Sequence, residues 1–390
     1  MNYKIISPLE LTRNNVQFRG NINVTDFERS SRFKKYKSEY IDCIKRILNK
    51  YFVSQKISER ILKGYTQESK LIQIQSKGSL LNFYWPNREL KSLTLLDNYL
   101  ITDQSYWLRF YPFLKLIDNK GINYAQVSEQ FKNIAEINNL GEKNITTIAH
   151  NNHFGHFLLD DYPKIILDDL QFPSYIQGSF KLFNLSRGIN DLLVSTLSAR
   201  STYKSVVSEL NRHNIVESDN ILQSFISNPI VNSFIIEQKF NSIRIKMPKE
   251  TNKNYRIYLA RSGKYESRIK NRKEILELLN RYDFFICDPS QYTSIELIKE
   301  LSSASIIVTE AGTSCLVASL YAPKTAKIVA LVPQELITNP KEDMIISGLP
   351  YHLASPQNIK FILGKVVDMH QIQSSQTCLY SPRDIEKEIA

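Results

Sequence analysis

The chain has 390 residues, 42% of them hydrophobic and 23% charged, which suits a globular protein with room for two domain-sized cores and argues against disorder. Its net charge of +11 fits nucleic acid, an anionic membrane surface or a phosphorylated substrate, and charge alone does not choose among them. Cys43, Cys287, Cys315 and Cys378 form no CxxC pair, which argues against a structural zinc site or a disulfide framework.

The opening MNYKIISPLELTRNN lacks the basic flank and apolar run of a signal peptide, and no later stretch reaches the length of a membrane span. The expected location is therefore cytoplasmic. Glu28 to Lys50 is a basic cluster with interleaved apolar residues, which reads as a solvated helix face or as a contact for anionic lipid or a polyanionic acceptor. Leu71 to Gln75 and Leu80 to Trp85 read as strands, and Tyr124 to Ile137 as a helix. No single architecture emerges from residues 1–145.

From Thr146 the texture changes. A short strand, TTIAH, runs into HNNHFGHFLLDDYP, a helix expected to begin near Asn152 and to stop at Pro163. A strand follows at Lys181 to Leu185, then a helix from Ile189 to about Asn211 and a strand at Val231 to Ile236. Basic, turn-rich Lys239 to Asn254 is the candidate linker. Beyond it, strands at Arg256 to Ala260, Phe284 to Cys287, Ser305 to Val308 and Lys327 to Val332 alternate with helices at Lys273 to Leu279, Ser294 to Leu301 and Thr313 to Tyr321. Such alternation predicts a parallel sheet of right-handed βαβ units, and Asp384 to Ala390 reads as a closing amphipathic helix.

Three clusters carry chemistry. In the first, His156 and Asp160 fall one helical turn apart, so a carboxylate can orient an imidazole toward a cleft. His150-x-x-His153-x-x-His156 also invites a metal reading, but it matches no standard zinc helix. The second cluster is the cationic turn Arg261-Ser262-Gly263-Lys264, followed by Arg268, Asn271, Arg272 and Glu274, which suits a phosphate-bearing ligand. Third, Thr309-Glu310-Ala311-Gly312-Thr313-Ser314 joins a buried strand to a helix; it is neither a Walker A loop nor a GxGxxG fingerprint. Its glycine permits close backbone approach and its hydroxyls with the helix N–H groups make an anion site. Glu310 would repel a pyrophosphate and is better suited to ribose or sugar hydroxyls.

Taken in order, Asn152, His156-Phe-Leu-Leu-Asp160 and Pro163, then YLARSG with Arg268-x-x-Asn271-x-x-Glu274, then SIIVTEAGTS and KIVALVP, resemble glycosyltransferase family 61, especially its bacterial capsular-polysaccharide branch. The resemblance covers about Thr146 to Gln334. It implies an α/β, GT-B-like fold: two Rossmann-like lobes facing a central cleft, with a mixed α+β N-terminal extension. The corresponding domains are 1–145, part of the acceptor lobe; 146–245, its α/β core; and 246–390, the nucleotide-sugar lobe. It further implies an inverting transfer from a nucleotide-sugar, usually UDP-linked, to a glycan hydroxyl, with no cofactor and no obligatory metal. Many members read HGAG where this chain has Thr309-Glu310-Ala311-Gly312, so a histidine contact is missing here.

On this reading His156 is the general base oriented by Asp160, with direct action of Asp160 as the variant. Asn152, His153 and Asp161 are the expected acceptor contacts. Arg261, Arg268, Asn271, Glu310, Gly312, Thr313 and Ser314 are expected to bind the donor, the arginines and backbone N–H groups stabilising the departing diphosphate. The expected partners are the nucleotide-sugar and a glycan acceptor, polyanionic or lipid-linked, with peripheral membrane contact through the basic N-terminal region and no nucleic acid. The rival from another class is a noncatalytic carbohydrate or polyanion binder on the same fold.

Overall fold

The computed structural model describes residues 4–6, 20–51, 55–84, 90–96, 99–101, 136–148, 154–177, 180–181, 186–198, 208–209, 214–226, 228–245, 255–261, 268–334, 355–369 and 376–390. The chain divides into two compact units, Met1–Lys34 with Gln67–Ile235, and Lys35–Thr66 with Ile236–Ala390.

Among the first elements are β1 (Lys4–Ile6), β2 (Gly20–Asp26), α1 (Ser31–Tyr51) and α2 (Gln55–Thr66). The basic stretch is helical because its apolar residues recur every three or four positions. Phe33, Tyr36, Tyr40, Ile44 and Ile47 are buried along one stripe, while Lys34, Lys35, Lys45, Arg46 and Lys50 are exposed.

The sheet of the first unit continues with β3 (Lys70–Tyr84), β4 (Leu90–Leu96), β5 (Tyr99–Ile101), β6 (Glu136–Asn139) and β7 (Asn144–Ile145), whereas β8 (Thr147–Ile148) belongs to a separate small sheet. The two strands expected between Leu71 and Trp85 are one, so far as Tyr84; Trp85 lies outside the described residues. Ile137, expected at the end of a helix, is in β6, and the rest of that helix lies outside the described residues.

A long helix, α3, comprises an α-turn Phe154–His156, a π segment Phe157–Asp161 and an α segment Tyr162–Gln171. It does not stop at Pro163. In the π segment the Tyr162 N–H donates to the Phe157 carbonyl, and Pro163 then occupies the first turn of the next segment, where a missing N–H costs little.

β9 (Phe180–Lys181), α4 (Arg187–Thr196), β10 (Ser208–Glu209) and β11 (Asn214–Ile226) complete the unit. The strand expected at Lys181 to Leu185 is present at its first residue; the others lie outside the described residues. α4 is shorter than its periodicity predicts. Leu197 turns extended, and the Ser198 N–H is held by Asp169 Oδ2 at 2.7 Å. The sheet order is β1-β5-β4-β3-β11-β6, with β2 also on β3 and β7 also on β11. Its centre is the antiparallel β3–β11 pair, Leu71 opposite Ile226 and Leu80 opposite Val216.

The segment Val231 to Ile236 is not a strand but part of helix α5 (Pro229–Ile245). Asn228 Oδ1 accepts from the Ile230 N–H at 2.8 Å and Pro229 opens the first turn, a helix start of ordinary chemistry. Ile230, Val231, Asn232, Ser233, Ile235 and Ile236 are all buried, so the amphipathic period that marks a surface helix is absent. The expected linker is therefore helical as far as Ile245, and 246–254 lies outside the described residues.

In the second unit β12 (Arg256–Leu259), α6 (Arg272–Arg281), β13 (Phe284–Cys287), α7 (Ser294–Ser302), β14 (Ile306–Glu310), α8 (Thr313–Tyr321), β15 (Lys327–Pro333) and α9 (Pro382–Ile389) follow the sequence closely, and β16 (Asn358–Met369) and β17 (Gln376–Leu379) are strands the sequence reading did not name. The sheet order is β13-β12-β14-β15-β16-β17. The first five strands are parallel and β17 is antiparallel. A reciprocal Thr293–Glu296 capping box starts α7 and Ser381 caps α9. Tyr258, Val308, Val329 and Leu331 pack with Ile275, Leu278 and Leu279 of α6 and Ile385 and Ile389 of α9. Among the described residues no helix is long and apolar enough to cross a membrane.

Candidate functional site

The first unit carries the first of the three clusters read from sequence, and the second unit carries the other two. On α3, His156 Nδ1 lies 3.7 Å from Asp160 Oδ2, as their one-turn spacing requires. The imidazole is about one-third exposed, whereas Asp160 is only 6% exposed. Asp160 Oδ1 is buried with no hydrogen-bond partner among the described residues. Asp161 is buried on the same helix. Asn152, His150 and His153 lie outside the described residues, as do Ser262, Gly263 and Lys264.

The π segment that follows His156 and carries Asp160 and Asp161 is itself informative, because single π turns within α-helices are found mostly at functional sites. Sequence reasoning missed the polar pair on the next turns of this helix. Lys164 and Asp168 are both buried, at 6% and 4% exposure, and they extend the His156, Asp160 spacing by four residues each. Asp168 Oδ1 accepts from Ser224 Oγ of β11 at 2.7 Å and from Gln73 Nε2 of β3 at 3.4 Å. Burial pushes its carboxyl up to about 7, against the opposing pull of the Ser224 and Gln73 hydrogen bonds and of Lys164. The readable signal was a lysine and an acid set into the apolar run PKIILDDL at helical spacing.

In the second unit the parallel strands run in the spatial order second, first, third, fourth, fifth, so the chain reverses its winding direction between β12 and β14. Ligands of such sheets bind outside the carboxyl ends of the strands flanking that switch point. Arg261 follows β12 and Gly312 follows β14, so both turns predicted from sequence meet there. Gly312 has φ +100°, a conformation side-chain-bearing residues rarely adopt, and it precedes the first turn of α8, where backbone N–H groups find no acceptor within the helix. Thr313 and Ser314 are partly exposed in that turn.

Arg261 is bonded to the same turn: its Nη2 donates to the Ala311 carbonyl, and its Nε is 3.6 Å from Glu310 Oε2. Glu310 is the last residue of β14, 4% exposed, and accepts from the Tyr258 hydroxyl at 3.1 Å. Burial raises its carboxyl pKa and Arg261 opposes the rise. Its carboxylate thus meets both Arg261 and Tyr258. Asn271 is also engaged within the protein: its Nδ2 donates to the Tyr380 carbonyl at 2.8 Å and its Oδ1 accepts from the Tyr380 N–H at 3.2 Å. Arg268 is partly exposed at the start of the approach to α6.

The stretch that holds the described parts of all three clusters is the one a family comparison covers. Residues 154–329 match the family model Glycosyltransferase 61. No curated protein matches the chain. The match opens on α3 and ends within β15, so His156, Asp160, Arg261, Glu310 and Gly312 all fall inside it. Similarity to this family supports glycosyltransferase activity, with a nucleotide-sugar donor and a glycan acceptor in general terms.

Proposed function

We propose that the protein is an inverting, GT-B-type glycosyltransferase that moves a sugar from a nucleotide-sugar, UDP-linked, to a hydroxyl of a glycan acceptor in capsule or other surface-polysaccharide synthesis. The observation that carries the reading is the meeting of Arg261 and Gly312 at the switch point of a parallel sheet, inside the stretch that matches the family.

Inversion requires the acceptor oxygen to attack the anomeric carbon from the face opposite the leaving diphosphate, through an oxocarbenium-like transition state comparable to that of glycoside hydrolysis. As the new C–O bond forms, the hydroxyl proton passes to Nε2 of His156. Asp160 stabilises the resulting imidazolium and holds its ring. The bond to the diphosphate breaks on the other side, and the developing charge is met by the N–H groups of Thr313 and Ser314 and by the Arg261 and Arg268 guanidinium groups. Arg261 also fixes the turn through Ala311. These donors supply charge stabilisation without a metal. The reaction takes place in the cytoplasm, with the basic face of α1 suited to an anionic membrane surface.

A thermal-shift screen of the whole protein against nucleoside diphosphates and nucleotide-sugars, run with chelator present, tests the donor site. A ligand bound only by the folded state raises the melting temperature once its concentration exceeds its dissociation constant. UDP or a UDP-sugar should do so; no shift with any nucleotide would contradict the reading.

A further inference from the structure

We infer that Glu310 is a positioning residue of the proposed donor site: it grips Arg261 at both backbone and side chain, so that the guanidinium stands over the Gly312 turn before a diphosphate arrives. The inference rests on the assignment of that turn as the donor site. An arginine side chain has several rotatable bonds, and a ligand that must first order it binds more weakly than one that finds it in place. Arg261 directly follows the strand that ends at Leu259 and Ala260, and it is partly exposed.

Three contacts set where it lies. Glu310 Oε2 is 3.6 Å from its Nε, and the same carboxylate accepts from its backbone N–H. Its Nη2 donates to the Ala311 carbonyl. The guanidinium thereby fills the space in which a side chain on residue 312 would sit, with Nη2 2.9 Å from the place of its Cβ. Glu310 is held in turn from the adjoining strand. Its Oε1 accepts from the hydroxyl of Tyr258, a fully buried residue of β12 that pairs with Val308 of β14. Burial and the Glu310 charge push the Tyr258 pKa up, so the hydroxyl keeps the proton it donates. Arg272, the first residue of α6, adds a second positive charge that favours the ionised carboxylate. A carboxylate beside an anion site opposes the anion by charge alone. Removing it tightens binding if it is merely a neighbour and weakens binding if it holds the arginine, so the sign of the change separates the two roles.

The test is arginine-selective NMR of the full chain, the Arg261 Nε signal being assigned by its loss in Arg261→Lys, followed by titration calorimetry with UDP and with inorganic pyrophosphate. In the wild type the heteronuclear Overhauser effect at Arg261 Nε should match that of the rigid backbone. In Glu310→Gln it should fall toward the value of exposed arginines. Both ligands should then bind roughly three- to tenfold more weakly, the order expected when one long side chain has to be ordered on binding. Tyr258→Phe removes no charge and only loosens the carboxylate; it should move both readouts in the same direction by less, and it keeps the test available if Glu310→Gln does not fold. An Arg261 signal equally ordered in wild type and variants, or anion binding that is unchanged or tighter, would overturn the inference. The order of Arg261 is measured without ligand, so it can fail while the donor site stands. A wild type that binds neither ligand, with Arg261 ordered by Glu310, would instead overturn the donor site on which the inference rests.

Discussion

Gly312 is where the fold and the proposed donor site depend on one atom, and Gly312→Ala exposes that dependence. At φ +100° and ψ −143° the residue is close to a region of backbone space used essentially by glycine, and alanine there carries roughly 1–3 kcal/mol of strain. An added Cβ would also lie 2.9 Å from Arg261 Nη2, closer than real Cβ atoms approach a neighbour. The guanidinium must give way, loosening its hydrogen bond to the Ala311 carbonyl, a charge-assisted bond of about 1.5–3 kcal/mol. Taking about 3 kcal/mol for the sum after relaxation, and about 2–4 °C per kcal/mol for a domain of this size, the melting temperature of the second unit should fall by about 6–12 °C. Calorimetric scanning measures the loss, and titration calorimetry with UDP should show weaker binding below the transition. A variant that melts within a degree of the parent and binds UDP equally would refute the bracing of this turn by Arg261.

Gly64 supplies the contrasting case. It lies in α2 with no heavy atom within 4 Å of an added Cβ and no left-handed φ, so Gly64→Ala should stabilise by up to about 1 kcal/mol in the same scan. Asp168→Asn should stabilise in a pH-dependent way. Folded Asp168 keeps its proton to about pH 7, whereas the unfolded chain releases it near the ordinary value of 3.8. Across that window the native state binds the extra proton, and stability falls as pH rises. At about 1.4 kcal/mol per unit the full effect is about 4 kcal/mol as an upper bound. The variant should melt higher than the parent at pH 8 and together with it at pH 4; equal melting at both would show that Asp168 is not held neutral by its burial.

The second unit was legible from β12 to β15 and at α9 because those strands are short apolar runs between helices with explicit start signals, such as Thr293 with Glu296 and Ser381; β16 and β17 were not read. Its helices and strands are also local, so each declares itself within a few residues. The first unit depends on long-range pairing. Leu71 lies opposite Ile226, and nothing near either residue announces the other. α5 was hidden for another reason: burial on most sides removes the polar face that periodicity needs, leaving VNSFII to read as a strand.

At the candidate site, the His156–Asp160 spacing was legible because one helical turn fixes it. The pairing of Glu310 with Arg261 and Tyr258 was not, since the sequence does not say which neighbours a carboxylate at a strand end meets. The same holds for Asn271, whose amide is bonded at both ends to Tyr380, more than a hundred residues away in the chain.

The most direct measurement of the central claim is sugar transfer by the wild-type protein and by His156→Ala, using the donor selected by the nucleotide screen. The account predicts turnover lower by about 10²-fold or more in the variant, the usual scale for loss of a general base, with donor affinity unchanged. Equal turnover in the two proteins would contradict it.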